Sequence, residues 1–179
     1  MGAVDWRKGT DVFLQIASLV SGLRPYDNIK FKWLGARANH IETDKAFFDL
    51  RKIDNNNIEI LFNNSDTVSF FDCIDLLLLT SREDPYPVVV LEAAAHKIPC
   101  ICFEKSGGAT EFISDDAGSI VPYMDVMAMA NSILYYYDNA TVLKSKGKLA
   151  KQKCFELHQD KELILKQFST ALKAISVQV

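Results

Sequence analysis

A doubly wound α/β domain, with a mostly parallel sheet covered by helices on both faces, is the fold class predicted here, and three observations carry the prediction. Strand-like and helix-like segments alternate along the chain, the pattern of parallel strands joined by helical crossovers. The run "DLLLLT" (75–80) reads as a fully buried strand. The length of 179 residues and an apolar content of 49% suit one domain around one core.

The elements follow in order. "TDVFLQIASLV" (10–20) places Phe13, Ile16, Ala17 and Val20 on one helical face, with Thr10 as the expected N-cap. "IKFKWLG" (29–35) alternates as a strand. A helix is expected over 40–53, followed after Asn55 to Asn57 by the short strand "IEILF" (58–62). The cap signals of "NNSD" (63–66) open a helix that closes near Cys73. After "DLLLLT" come a helix starting near Val88, the strand "PCICF" (99–103), the short strand "GSIV" (118–121) and helices over about 125–138, 140–156 and 160–175. No repeat, low-complexity tract or linker divides residues 1–179, so a single domain is expected. Domains of this class bind their ligands at the carboxyl ends of the strands.

Twenty Lys and Arg against 23 Asp and Glu give a net charge of −3. That lacks the basic footprint of a nucleic-acid binder, so a phosphate ligand must be held locally. No apolar run approaches the ~20 residues of a membrane span, and no charged-then-apolar leader begins the sequence, which makes a cytoplasmic protein the expectation. Cys73, Cys100, Cys102 and Cys154 show no CxxC spacing and read as reduced core thiols rather than a metal site. His40, His96 and His158 stand apart, with no carboxylate or cysteine at ligand spacing, and read as surface or boundary residues. Tyr135 to Tyr137 read as one turn of a helix packed partly on the core.

The segment "SREDPYPVVVLEAAAHKIPCICFEKSGGATEF" (81–112) stands where a ligand is expected. "SREDPYP" is the loop at the carboxyl end of the buried strand, and "VVVLEAAAHK" is the helix leaving it. A helix N-terminus offers free N–H groups and a partial positive charge, so the Val88 and Val89 amides suit an anion, with Pro85 and Pro87 stiffening the approach. Glu92 lies one turn deeper on the face of Val88, and Asp84 sits in the loop on the other side. Two acceptor-only carboxylates flanking a phosphate site suit hydroxyl-rich groups, such as a ribose and a sugar. Taken singly, Asp84 and Glu92 are a loop acid and a solvated helix acid, "SGG" is a turn, and Lys8 is surface charge. Their joint order at strand ends favours a ligand site.

At these residues the sequence resembles the donor-binding segment of the family-4 glycosyltransferases, retaining enzymes of the two-domain GT-B fold. Their E-x7-E motif ends in a helix glutamate on the donor ribose, matched by Glu92, and a glycine turn follows, matched by Gly107, Gly108 and Glu111. "DWRKGTDVFLQIA" (5–17) resembles the family's Lys-Gly segment, in which Lys8 matches the lysine that neutralises the donor diphosphate. "FKWLG" and "IEILF" resemble the strands whose ends flank the nucleobase. Similarity runs over most of residues 6–138.

The resemblance implies transfer of a sugar from a nucleoside-diphosphate sugar, with retention and without a cofactor, to a glycan or lipid acceptor, in polysaccharide or glycoconjugate synthesis. The sequence has no D-x-D pair to carry the diphosphate on a divalent metal, so metal independence is expected. Asp84 and Glu92 would be the carboxylates of the reaction, holding sugar and ribose. Lys8, Arg7, Tyr86, Pro87, Val88, Val89, Gly107, Gly108 and Glu111 would bind the donor, and Leu61, Phe62 and Asn63 would line the base. Three features depart from the family pattern. Asp84 is one methylene shorter than the usual glutamate, Pro87 replaces a common glycine, and Arg7 is the substitute for an arginine expected upstream of the lysine.

The chain holds only the donor half, so the acceptor domain is expected elsewhere, in an enzyme that is at most membrane-peripheral. "MGAV" is expected to be the end of the domain's first strand, leaving inner sheet edges that favour either a local rearrangement or self-association. A GT-B sugar-nucleotide epimerase would use similar contacts. A receiver module is disfavoured because Asp75 begins its strand instead of ending it.

Overall fold

The computed structural model describes residues 1–36, 57–62, 67–114 and 116–158. Helix α1 (Thr10–Leu23) precedes strand β1 (Phe31–Ala36), which pairs in parallel with β2 (Ile58–Phe62). A short helix, α2 (Thr67–Phe71), leads to β3 (Leu77–Leu79), then α3 (Val88–Ala95), β4 (Cys100–Phe103), α4 (Ala109–Ile113), β5 (Gly118–Val121), α5 (Val126–Asp138) and α6 (Ala140–His158). Strands β3, β4 and β5 form a second parallel group in that order. The expected helices over 40–53 and 160–175 lie outside the described residues, as does "NNSD".

Side-chain alternation makes the two groups one layer between two cores. On one face, Trp33 of β1 and Ile101 and Phe103 of β4 pack with Phe13, Ile16 and Val20 of α1 and with Met129, Ile133 and Tyr136 of α5. On the other, Leu34, Leu77, Leu79, Cys100 and Cys102 pack with Phe70, Phe71, Val90, Ala93, Ile113 and Ala150. Helices therefore cover both faces, as a doubly wound sheet requires. Beside β1 runs the segment of Gly2, whose amide donates to Leu34 O at 2.8 Å and whose carbonyl accepts from Trp33 Nε1 at 3.0 Å. At the far end, Arg24 donates to Asp138 at 2.6 Å and ties α1 to α5.

Several local expectations are corrected. Thr10 does not cap α1. Gly9 does, in a left-handed conformation with φ 67°, because a Cβ there would lie 1.9 Å from Thr80 O. Thr10 becomes the first helical residue, fully buried, with Oγ1 lacking a hydrogen-bond partner among the described residues. Asp125 does cap α5, accepting from the Ala128 amide at 2.8 Å. Three cysteines are core thiols, but Cys73, in the turn after α2, is exposed. Burial pushes Cys102 up to about 12 and Cys100 well above its ordinary value. His96 has a carboxylate neighbour after all: its Nδ1 is 3.3 Å from Asp72 Oδ1, and its ring stacks on Phe71. That contact lies at the carboxyl end of α3, on the side of the amino ends of β3 and β4 and away from their carboxyl ends. Tyr136 is buried with its hydroxyl 2.8 Å from Ser119 Oγ, while Tyr135 and Tyr137 are exposed.

Candidate functional site

Two loops beyond the carboxyl ends of β3 and β4 meet the loop that opens α1, and close backbone contacts fix how they meet. Gly107, with φ 134°, brings its Cα so near the β3 loop that a Cβ would stand 1.9 Å from Asp84 O. Asp84 and Gly107 form an isolated parallel bridge, in which the Asp84 amide donates to Ser106 O at 2.7 Å. Ser106 Oγ turns back to Phe103 O at 2.8 Å, and the Gly108 amide donates to Pro85 O at 3.2 Å. On the other side Thr80 Oγ1 donates to Lys8 O at 3.2 Å. The three loops are thus laced together by main-chain groups.

This lacing brings Lys8 and Asp84 into contact although 76 positions separate them. Lys8 Nζ donates to Asp84 Oδ2 at 2.6 Å, with the lysine side chain 22% exposed and the carboxylate 8% exposed. The Lys8 amide is held by Asp5 Oδ1 at 2.7 Å. An ammonium carries three donors, so this pair leaves Lys8 able to serve further acceptors.

Beside the pair, α3 starts at Val88 behind a buried Pro87 that supplies no side-chain cap. Val90 donates to Pro87 O at 3.0 Å, whereas Val88 and Val89 precede the first intrahelical acceptor. Val88 and Tyr86 are exposed, and Glu92 is exposed on the next turn. Glu111 is exposed in the first turn of α4, and Gly108 precedes that helix. Arg7 is exposed too, reaching Glu83 O only at 3.5 Å. Leu61 of β2 is half-buried against the second core, Phe62 ends that strand, and Asn63 lies outside the described residues. Asp75 lies before β3, at the amino end of the strand, where a receiver-type phosphorylation site has no place. The structure thus joins Lys8, Asp84, Gly107 and Gly108 directly and sets Val88 and Val89 at the adjoining helix start. Among the described residues no side-chain hydrogen bond or ion pair joins Glu92 or Glu111 to that cluster.

Four residues that the sequence reading passed over sit beside the cluster. Arg82 donates to both oxygens of Asp11, at 2.8 and 2.7 Å, and to Trp6 O at 2.6 Å. Its guanidinium lies over the Trp6 ring at 4.8 Å, and Tyr123 donates to Arg82 O at 3.4 Å. Hydrogen bonding to Arg82 holds the Asp11 carboxyl below its ordinary range, and the same pairing raises Arg82. A basic residue between Ser81 and two acids was the available signal, but its partner on α1 is visible only in three dimensions. A concavity of about 520 Å³ runs along α1 from Asp11 to Leu23 and touches none of the predicted site residues. Among the described residues no helix is long and apolar enough to cross a membrane.

Comparison with known proteins gives the family and the fold. The family described as Glycosyl transferases group 1 matches residues 1–139. Comparison of the sequence with curated proteins returns no match. Among solved structures, TarM of S. aureus is similar with a TM-score of 0.79 at 20% identity, over 94% of this chain and 34% of that one. HepE of Anabaena, solved in complex with UDP, gives a TM-score of 0.79 at 18% identity, over 97% of this chain and 48% of that one. The C-terminal domain of LpcC, a glycosyl transferase group 1 family protein from Francisella tularensis, gives 0.73 at 16% identity, over 88% of this chain and 83% of that one. The chain therefore spans about a third to a half of TarM and HepE but most of the LpcC domain. With residues 1–139 matched by the family and the fold shared with an isolated C-terminal domain, the chain belongs to the group 1 glycosyl transferases and has the fold of their C-terminal, GT-B half.

Proposed function

We propose that this chain binds the nucleoside-diphosphate sugar of a retaining glycosyltransferase. The observation that carries the reading is the Lys8–Asp84 pair at 2.6 Å, set where three loops converge beside the start of α3. A cation with spare donors next to a helix N-terminus is an anion site, and an adjacent carboxylate suits hydroxyls attached to that anion. HepE, a structural neighbour, has been solved with UDP-glucose, which has this shape.

In this reading Lys8 and the Val88 and Val89 amides stabilise the charge that grows on the leaving diphosphate as the sugar departs. Asp84 holds both Lys8 and the donor sugar. Glu92, exposed one turn along α3, accepts from the ribose hydroxyls, and the end of β2 at Leu61 and Phe62 borders the base. Gly107 and Gly108 bring the turn before Glu111 close to the sugar. Acceptor binding, to a glycan or lipid, belongs to another domain, so this chain alone binds donor without turning it over.

Calorimetric titration tests the reading. A nucleoside diphosphate is expected to bind more tightly than its nucleoside, and Lys8→Ala to weaken the diphosphate selectively; equal affinities for the two ligands would overturn it. Glu92→Gln is expected to weaken ribonucleotides roughly tenfold or more, the worth of a hydrogen bond to a charged group, and to leave 2′,3′-dideoxy analogues almost unchanged.

A further inference from the structure

We infer that Arg82 is the positioning residue that presents Lys8 to the ligand, acting through the main chain rather than by touching the ligand itself. This rests on the reading of Lys8 as the phosphate-binding cation. Three consecutive carbonyls of the Lys8 loop are held by one short stretch after β3. Trp6 O accepts from Arg82 Nη1 at 2.6 Å, Arg7 O from the Arg82 amide at 2.8 Å, and Lys8 O from Thr80 Oγ1 at 3.2 Å. The Lys8 backbone therefore has little freedom left, and only its four-carbon stem remains to be ordered by Asp84.

Arg82 is itself fixed from several directions. Its fork grips both oxygens of Asp11 in the first turn of α1, with each side chain 12% exposed. The Trp6 indole lies on the guanidinium, and Tyr123, after β5, donates to the Arg82 carbonyl. One residue thus joins the loop before α1, the start of α1, the loop after β3 and the turn after β5. The bidentate pairing also commits its charge. A guanidinium whose fork is filled by a carboxylate is not free to neutralise a phosphate, whereas the Lys8 ammonium holds one partner and keeps donors to spare.

The test uses the whole chain and two readouts. The first is affinity for a nucleoside diphosphate and for its nucleoside in wild type, Arg82→Gln, Lys8→Ala and the double variant. The second is the rate of Lys8 acetylation followed by mass spectrometry, with exposed Lys144 as the internal standard. Positioning predicts that Arg82→Gln weakens the diphosphate on the order of tenfold, the equivalent of one misaligned charged hydrogen bond, and the nucleoside less than twofold. It also predicts that Lys8 acetylates severalfold faster and that Arg82→Gln adds nothing in the Lys8→Ala background. Additive losses in the double variant would mean that Arg82 binds phosphate directly and would overturn the inference. A folded Arg82→Gln with unchanged Lys8 acetylation would overturn it as well. If wild type fails to prefer the diphosphate, the reading of Lys8 falls, and acetylation alone still decides whether Arg82 positions it. Should Arg82→Gln not melt cooperatively, Asp11→Asn loosens the same fork at nearly constant shape and is read in the same way.

Discussion

At the scale of single residues, the loops around Lys8 place charge and polarity where burial makes them consequential. Asp11 is held below its ordinary pKa mainly by Arg82, so its stabilising pairing is complete above the unfolded carboxyl value and is lost as pH falls through the lower folded value. Thermal melts of Asp11→Asn are expected to show a deficit at pH 7 that narrows only below about pH 3.8, the unfolded value; a deficit that does not vary with pH would remove the ion pair from the account. Thr10 behaves oppositely, because its buried Oγ1 has no partner among the described residues. Thr10→Val keeps the shape and removes an unsatisfied hydroxyl, so it is expected to raise stability by about 1 kcal/mol in denaturant unfolding. Lys8, Asp84 and the glycine turn were legible in the sequence because their order and spacing are local to strand ends. Arg82 and Asp11 were not, since their 71-position separation closes only when β3 and α1 lie side by side.

At the scale of elements, glycines in helices separate propensity from packing. Gly22, in the last turn of α1, would give a Cβ nothing to meet within 4 Å, so Gly22→Ala is expected to stabilise by roughly 0.5–1 kcal/mol. Gly147 in α6 is also helical, yet a Cβ there would stand 2.0 Å from Lys97 O, in the turn after α3. Gly147→Ala should therefore destabilise despite its better propensity, and matched urea unfolding of the two variants checks the contrast. Strand positions were read correctly from apolar runs, since "DLLLLT", "PCICF" and "GSIV" each contain a strand. The start of α1 was misread because the close approach of Thr80 to Gly9, a tertiary contact, decides which residue caps the helix.

At the scale of the whole molecule, a single layer of strands shares two cores, and access to its centre depends on both. Cys100 and Cys102 point into one core with their thiols raised by burial, while Cys73 is exposed. A thiol reagent at pH 8 is expected to modify Cys73 promptly and Cys100 and Cys102 only as the protein unfolds; prompt labelling of all three would mean the sheet opens readily. The doubly wound class was legible because alternation and burial follow one rule throughout, whereas the pairing of loops beyond the strand ends was not, since no periodicity encodes it. The bridge between Asp84 and Gly107 is the clearest instance. It carries the ladder of β3 and β4 past their ends, so amide hydrogen exchange should find the Asp84 proton, donated to Ser106 O, among the slow protons of the sheet and not among the fast ones of the loops. The residues proposed to meet the donor would then open and close on the timescale of the scaffold, and a ligand would find them already assembled.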